Sequence, residues 1–173
     1  MNLKRVFTSW GLIIVLLGFS NVSFAQGDPT DSLPNDPGAI RTFIVQNLKF
    51  GAFTQGGSGG TVRIETNGSR SVTGSIIGLN LGQVYFQAII DIESAPGSLI
   101  SITNGPDVVL SGSNGGTITL HIGVSDPASP FGTNTMPPGR TPVNIGGIIT
   151  VGNPAASPPG VYSGTFIVTF NQE

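Results

Sequence analysis

The sequence lacks cysteine, has a single histidine and is poor in charge. Charged residues make up 9% of the 173 positions, with seven Lys and Arg against nine Asp and Glu, whereas an ordinary soluble domain carries about 25%. Without a thiol there is no disulfide framework, no cysteine zinc site and no cysteine nucleophile. So few basic residues also exclude the positive surface with which proteins bind nucleic acid. We therefore expect no nucleic-acid partner and little ionisable chemistry for an enzyme.

Glycine and proline are abundant instead, with 26 and 13 copies. In a helix interior each glycine costs about 1 kcal/mol and each proline about 3 kcal/mol relative to alanine, so a helical bundle is excluded. Short runs of Val, Ile, Thr and Phe are separated by Gly, Asn, Pro and Ser. This pattern is typical of strands and turns.

The first 25 residues have the features of a secretory signal peptide. Lys4 and Arg5 form a positive segment, an apolar run follows at 10–19, and small residues precede a cleavage site after Ala25. We expect residues 1–25 to be removed, which leaves no membrane span and five basic against nine acidic residues. The alternative is an uncleaved membrane anchor, because the uncharged stretch before Asp28 is long enough to span a bilayer.

Two segments follow the predicted cleavage site. Residues 26–39 hold three Asp and three Pro and almost no apolar side chains, so we predict a disordered leader. Residues 40–173 form the predicted single domain. Within it, alternating patterns and turn residues predict strands at 61–65, 70–77, 83–93, 99–103, 108–110, 117–124, 145–151 and 162–170.

The alternation also predicts which residues face inward. In three of the predicted strands one apolar face is expected to be buried, formed by Val84, Phe86, Ala88, Ile90 and Ile92, by Ile118, Leu120, Ile122 and Val124, and by Tyr162, Gly164, Phe166, Val168 and Phe170. Val72, Gly74 and Ile76 are expected to share one face of the strand at 70–77.

Turns complete the pattern. Asn67-Gly68 predicts a two-residue hairpin turn with positive φ at both positions, and Pro96-Gly97 predicts another turn. The segment 126–142 reads as a long loop that is either mobile or functional. These features predict an all-β fold, an antiparallel β-sandwich of about eight or nine strands. A closed barrel is the alternative, but the unequal strand lengths favour two sheets.

The residues that could carry chemistry are few, and each has a simpler explanation. His121 is expected on the outward face of its strand, and no Gly-x-Ser-x-Gly motif accompanies it. Asp91 and Glu93 share a face and could share a proton or bind a cation, but a polar outer face is the better explanation. Asp28, Asp31 and Asp36 do not have the spacing of a calcium loop.

Three further motifs are explained in the same way. The glycine tract at 55–60 lacks the ending of a phosphate loop and predicts a flexible connection. Asn67-Gly68-Ser69 matches the glycosylation pattern, but a hairpin turn accounts for it. Tyr85 is an outward aromatic residue, and one ring does not make a sugar-binding platform. We assign no catalytic, cofactor-binding or metal-ligating residue and expect no cofactor.

Four stretches together resemble one known family. They are 48–53 (LKFGAF), 60–64 (GTVRI), 68–74 (GSRSVTG) and 159–169 (PGVYSGTFIVT). In this order they are similar to DUF4402, a bacterial domain-of-unknown-function family of secreted proteins. The closing strand also resembles that of fimbrial and pilin-like subunits, which are immunoglobulin-like sandwiches. The resemblance implies an immunoglobulin-like or pilin-like sandwich that can pair its strands with other subunits.

We therefore expect an exported, non-enzymatic structural or adhesive protein, located in the periplasm or on the outer surface of a bacterium. Its partners would be copies of itself or other surface subunits, held by β-strand pairing. The alternative is a monomeric extracellular module that binds a glycan or a protein through the loop at 126–142. An enzyme is a more distant third possibility.

Overall fold

The computed structural model describes residues 39–173 and, nearer the N-terminus, the backbone at 15–17 and 21–22. These residues form strands and turns and contain no helix, so none of them forms a helix that could cross a membrane. The strands are β1 (Val15–Leu17), β2 (Asn21–Val22), β3 (Arg41–Gln46), β4 (Ala52–Gln55), β5 (Gly60–Ile64), β6 (Arg70–Val72), β7 (Ile76–Gly78), β8 (Ala88–Glu93), β9 (Leu99–Asn104), β10 (Val108–Gly112), β11 (Thr117–Asp126), β12 (Phe131–Gly132), β13 (Thr141–Val151), β14 (Val161–Ser163), β15 (Thr165–Phe166) and β16 (Val168–Gln172).

Most of the strands belong to one large, curled sheet. Its order is β3-β8-β13-β11-β10-β14-β1-β4-β7, and β5 joins it at β13 and carries β6. The long strand β13 pairs with β11 along one edge, while β8 and β5 share its other edge. A second sheet has the order β12-β9-β16, and β15 pairs with β2. The fold is therefore all-β and sandwich-like, as predicted.

The core lies between the large sheet and the three-stranded sheet. Its fully buried side chains come from both, including Ile118, Leu120 and Ile149 from the large sheet and Ile100 and Val168 from the small one. Burial of such a side chain contributes about 1.5–3 kcal/mol. In the absence of cysteine, this packing and the strand hydrogen bonds hold the described fold together.

The closing segment packs as the alternation predicts. Tyr162, Phe166 and Val168 are buried, and Phe170 packs partly against the core. The Tyr162 hydroxyl donates a hydrogen bond to the Pro158 carbonyl (2.5 Å). A buried tyrosine bonded to the backbone a few residues upstream is also found at the tyrosine corner of immunoglobulin-like sandwiches.

Several predicted strands are divided, so there are more strands than the expected eight or nine. The closing segment at 162–170 is split into β14, β15 and β16. The predicted strand at 70–77 is broken at Gly74, whose φ is +67°. On either side of this break β6 pairs with β5 and β7 pairs with β4. Val72 is consequently exposed while Ile76 is buried.

Two predictions of inward residues are wrong. The strand predicted at 83–93 starts only at Ala88, so Ala88, Ile90 and Ile92 are buried but Val84 and Phe86 are exposed. In β11 the register shifts between Ile122 and Ser125. Such an irregularity changes which face a side chain occupies, and Val124 is 72% exposed.

The hairpin between β5 and β6 is confirmed, but its turn differs from the prediction. Gly68 has a φ of +81° and Asn67 does not have a positive φ. The Gly68 amide donates to the Glu65 carbonyl (2.9 Å), and the Glu65 amide donates to the Ser69 carbonyl (2.9 Å). The loop therefore spans three residues with glycine at the last position, a common alternative to the two-residue turn.

Candidate functional site

The most unusual feature of the large sheet is that β1 lies between β4 and β14. Leu16 pairs with Val161 and Leu17 with Tyr162 in parallel, while Val15 pairs with Phe53 and Leu16 with Ala52 antiparallel. In the described sheet order β4 and β14 are joined only through β1. We call the position between β4 on one side and the consecutive strands β14 and β15 on the other side the slot.

The N-terminal strands follow the closing segment beyond β14. After β1, Asn21 pairs with Thr165 and Val22 with Phe166, again in parallel. The described parts of the occupant are therefore 15–17 and 21–22, which lie beside 161–162 and 165–166. This is a long-range arrangement, since it brings residues from both ends of the sequence to the same place.

The backbone of β14 presents Tyr162 to the slot. The Val161 amide donates to Ser113 Oγ (3.0 Å), and the Ser113 amide donates to the Val161 carbonyl (2.8 Å). Val161 therefore points its backbone groups toward β10. Because consecutive residues of a strand direct these groups to opposite sides, those of Tyr162 point into the slot.

The backbone of β4 presents Phe53 in the same way. The Ala52 carbonyl accepts a hydrogen bond from the Leu79 amide (2.9 Å), on the side of β7. The next residue, Phe53, then directs its N–H and C=O toward the slot. The side chains of Phe53 and Tyr162 are both fully buried, so two aromatic residues mark the two walls of the slot.

Arg70 holds the chain at the start of β4. Its Nη1 donates to the carbonyls of Phe50 (3.2 Å) and Ala52 (3.0 Å), and its Nη2 donates to the Leu79 carbonyl (3.3 Å). The guanidinium carbon lies 4.3 Å from the centre of the Tyr85 ring, a favourable cation–π distance. Sequence reasoning missed this role, and the only available signal was one Arg between small polar residues in a predicted strand.

The environment of Tyr162 affects its chemistry. Burial raises the pKa of its phenol above the ordinary value of 10.0, because an ionised oxygen would be poorly solvated there. The phenol is therefore a neutral hydrogen-bond donor at physiological pH, and its bond to Pro158 positions the segment that leads into β14.

His121 lies on the outer face of β11, as predicted. Its Nδ1 is 2.7 Å from Asp107 Oδ1, and both side chains are more than half exposed. Arg63 and Glu65 form a second exposed pair at 3.7 Å. His121, Arg63 and Glu65 line a groove of about 550 Å³ together with Asn104. Exposed pairs of this kind contribute about 0–1 kcal/mol to stability.

Asp91 and Glu93 do lie on one face, but Glu93 is engaged by arginines. Its carboxylate oxygens are 3.7 Å from Arg41 and 3.9 Å from Arg140, and the guanidinium of Arg140 stacks 3.5 Å from the centre of the Phe43 ring. This arrangement fits the polar-face interpretation. Among the described residues no three His, Cys, Asp or Glu side chains come close enough to hold a metal ion.

The glycine tract at 55–60 is more ordered than a flexible connection. The Gly56 amide donates to the Ser75 carbonyl (2.9 Å), and the Gly59 carbonyl accepts from both the Ser75 amide (2.8 Å) and the Ser75 hydroxyl (2.9 Å). The prediction of flexibility is therefore wrong, because the turn at Gly74 brings Ser75 against the tract.

The remaining sequence candidates are simply placed. Asn67 Oδ1 accepts a hydrogen bond from the Ser69 amide (2.9 Å), so the side chain belongs to the hairpin turn. Tyr85 is outward, as predicted, at 38% exposure. Asp28, Asp31 and Asp36, the predicted leader and most of the predicted signal peptide lie outside the described residues.

The segment 126–142 is anchored to the sandwich. Phe131 is buried and pairs with Ile100, and the Thr133 amide donates to the Ser98 carbonyl (3.0 Å). Its first residues, Ala128 and Ser129, line a groove of about 280 Å³. Met136, at its far end, is 74% exposed. The Ile102 amide also donates to the Ser129 hydroxyl (2.8 Å). The segment is therefore tied to the sandwich at Ser129 and at 131–133, and it exposes Met136 beyond them.

One comparison with known proteins gives a match. The model of the family described as Domain of unknown function (DUF4402) matches residues 41–171, which agrees with the resemblance seen in the sequence. Neither the curated proteins nor the solved structures include a match to this chain.

Proposed function

The chain belongs to the DUF4402 family, a domain of unknown function, and from that premise we propose that it is an exported, non-enzymatic structural or adhesive protein of the bacterial cell surface. The observation that carries this proposal is the slot. Among the described strands, β14 and β4 are connected only through β1, which lies within the segment that the sequence predicts to be removed during export.

Removal of residues 1–25 would leave two strand edges facing each other. The backbone groups of Phe53 and Tyr162 would then lose their strand partners. Unpaired edges are templates for pairing with another chain, and added strands are a common mode of protein association. A surface protein that joins others through strand pairing therefore agrees with the arrangement of the slot.

The surface chemistry of the described residues also supports a structural function. Most of their charged side chains engage one another in pairs, such as His121 with Asp107 and Arg63 with Glu65. Thr, Ser and Asn are frequent among the exposed residues, and large apolar side chains such as Val109 and Val124 are exposed as well. Such faces are suited to close packing between subunits, because little charge has to be removed from water.

Export and surface location are tested by expressing the full chain with a C-terminal tag in a bacterial host. We expect mass spectrometry to find an N-terminus at Gln26 and protease treatment of intact cells to digest the tag or the domain. A matched variant with Ile13→Arg and Ile14→Arg interrupts the apolar run and should remain inside the cell at full length. A wild-type chain that stays full-length and internal would overturn the proposal.

A monomeric binding module is the second candidate, favoured by the segment 126–142. In this segment Met136 is exposed to solvent, and Ala128 and Ser129 line a groove. The test is a glycan array and a binding assay against surface proteins, using the exported domain and an Ala128→Arg variant, which fills the groove and keeps the Ser129 hydrogen bond to Ile102. Specific capture that the variant loses would favour the module over the structural protein.

A further inference from the structure

The slot specifies the polarity of the strand that fills it. The occupant runs parallel to β14, with pairs at Leu16–Val161 and Leu17–Tyr162, and antiparallel to β4, with pairs at Val15–Phe53 and Leu16–Ala52. These two relationships cannot both be kept if the strand is reversed. A strand that replaces it with the same pairing therefore enters beside Val161 and leaves beside Phe166.

The slot also specifies the chemistry of its occupant. Residues 16–17 pair with 161–162, and residues 21–22 pair with 165–166. Residues that pair across adjacent strands place their side chains on the same face. The positions opposite Phe53, Tyr162 and Phe166, all buried, therefore require apolar side chains, and the sequence has Val15, Leu17 and Val22 there.

The sequence of the predicted leader is unsuited to filling the slot. Residues 26–39 contain Pro29, Pro34 and Pro37, and proline lacks the N–H that a strand between two neighbours must donate. The same leader on a second copy would be equally unsuitable. The other described strands already pair within the domain.

We propose that the slot of the mature protein binds one short, extended, apolar segment of a different polypeptide, which runs parallel to β14 and antiparallel to β4. This inference rests on the proposed export and cleavage. The N-terminal segment fills the slot in the precursor, and its removal makes the site available to the partner.

The probe is a synthetic peptide with the sequence of residues 13–24, extended by two lysines at each end for solubility. It is titrated against the mature chain, residues 26–173, with binding followed by fluorescence anisotropy and stability by thermal unfolding. We expect saturable binding and a raised Tm. A control peptide with Leu17→Asp and Val22→Asp should bind at least tenfold more weakly, because it places two carboxylates against buried residues.

Polarity is tested with a spin label on the same peptide and amide signals of the protein measured by NMR. A label at the peptide C-terminus should broaden the signals of Thr165, Phe166 and Ile167, and a label at its N-terminus should broaden those of Thr54 and Gly160. The reverse pattern, or equal affinity of the two peptides, would overturn the proposed site.

Two outcomes separate this inference from the proposed function. If the mature chain alone forms oligomers that the peptide dissociates, the occupant is a second copy, and the claim of a different polypeptide fails while the structural function stands. If the mature chain does not fold alone, it is refolded with each peptide. The slot is supported if a native near-ultraviolet circular dichroism spectrum appears with the wild-type peptide and not with the control peptide. It is contradicted if neither peptide gives a native spectrum. Both outcomes are independent of the export assay.

Discussion

The guanidinium of Arg70 occupies the space that a side chain at Gly51 would need. A Cβ at Gly51 would lie 3.0 Å from Arg70 Nη1, and the same nitrogen donates to the carbonyls on either side of Gly51, those of Phe50 and Ala52. Gly51 also has a φ of +71°, a conformation that favours glycine. Phe50 and Gly51, within the stretch 48–53, therefore fix the backbone at the start of β4, which forms one wall of the slot.

We expect Gly51→Ala to lower the free energy of unfolding by about 2 kcal/mol or more. The positive φ alone costs about 1–2 kcal/mol for an L-residue, and displacement of Arg70 weakens hydrogen bonds to a charged group, each contributing about 1.5–3 kcal/mol. Urea unfolding measures the change.

Gly82→Ala is the matched control for this variant. Gly82 has a similar φ of +75°, but a Cβ there meets nothing within 4 Å. We expect a loss of about 1 kcal/mol, from the backbone conformation only. Equal losses for the two variants would show that the contact between Gly51 and Arg70 contributes nothing.

Local alternation predicts the buried face of a strand only where pairing continues. Ala88, Ile90 and Ile92 lie in β8 and are buried. Val84 and Phe86 have the same alternation but precede the strand, and they are exposed. In the segment 84–87, just before β8, the strand pairing is limited to the isolated bridge between Lys49 and Phe86. Pairing partners are distant in sequence, so the period of two does not show where a strand begins.

The slot could not be predicted for the same reason. The turns and the apolar character of 161–166 are visible in the sequence, and so is the signal-like character of the first 25 residues. Nothing local indicates that 15–17 pairs with residues near 53 and 162, because register depends on which edges remain open after the rest of the sheet has formed. The resemblance to DUF4402 implies a sandwich but does not specify this position.

We expect Tyr162→Phe to reduce the free energy of unfolding by about 1–2 kcal/mol. The substitution keeps the buried ring and removes the hydroxyl that donates to the Pro158 carbonyl. Tyr85→Phe removes a hydroxyl from an exposed ring and should change stability by no more than about 0.5 kcal/mol. Thermal and urea unfolding of both variants measure the loss of stability. Equal losses would contradict a stabilising role for the hydrogen bond between Tyr162 and Pro158.

The stability difference between the wild type and Tyr162→Phe should depend on pH. Burial raises the pKa of Tyr162 above 10.0 in the folded state, so the phenol of the unfolded chain ionises first as the pH rises. Ionisation then stabilises the unfolded state and lowers the stability of the wild type. The advantage of the wild type over the phenylalanine variant is therefore complete below pH 10.0 and shrinks above it. Urea unfolding across this range would refute the prediction if the difference stayed constant.

The last prediction concerns Ser157, which connects three strands near one end of the slot. Its buried hydroxyl donates to the Thr117 carbonyl (2.7 Å) and accepts from the Gly152 amide (3.0 Å), and its carbonyl accepts from Gln55 Nε2 (2.8 Å) at the end of β4. We expect Ser157→Ala to cost about 1–3 kcal/mol, because two backbone groups lose a partner that water replaces poorly.

Ser113→Ala provides the comparison for this variant. The Ser113 hydroxyl accepts the Val161 amide (3.0 Å) at an exposed position, where water can take its place, so the loss should be about 0.5 kcal/mol or less. Urea unfolding of the two variants compares the free energy of unfolding lost with a buried hydroxyl and with an exposed one. If Ser113→Ala were the more costly change, attachment of β14 to β10, and not the network around Ser157, would hold the walls of the slot in place.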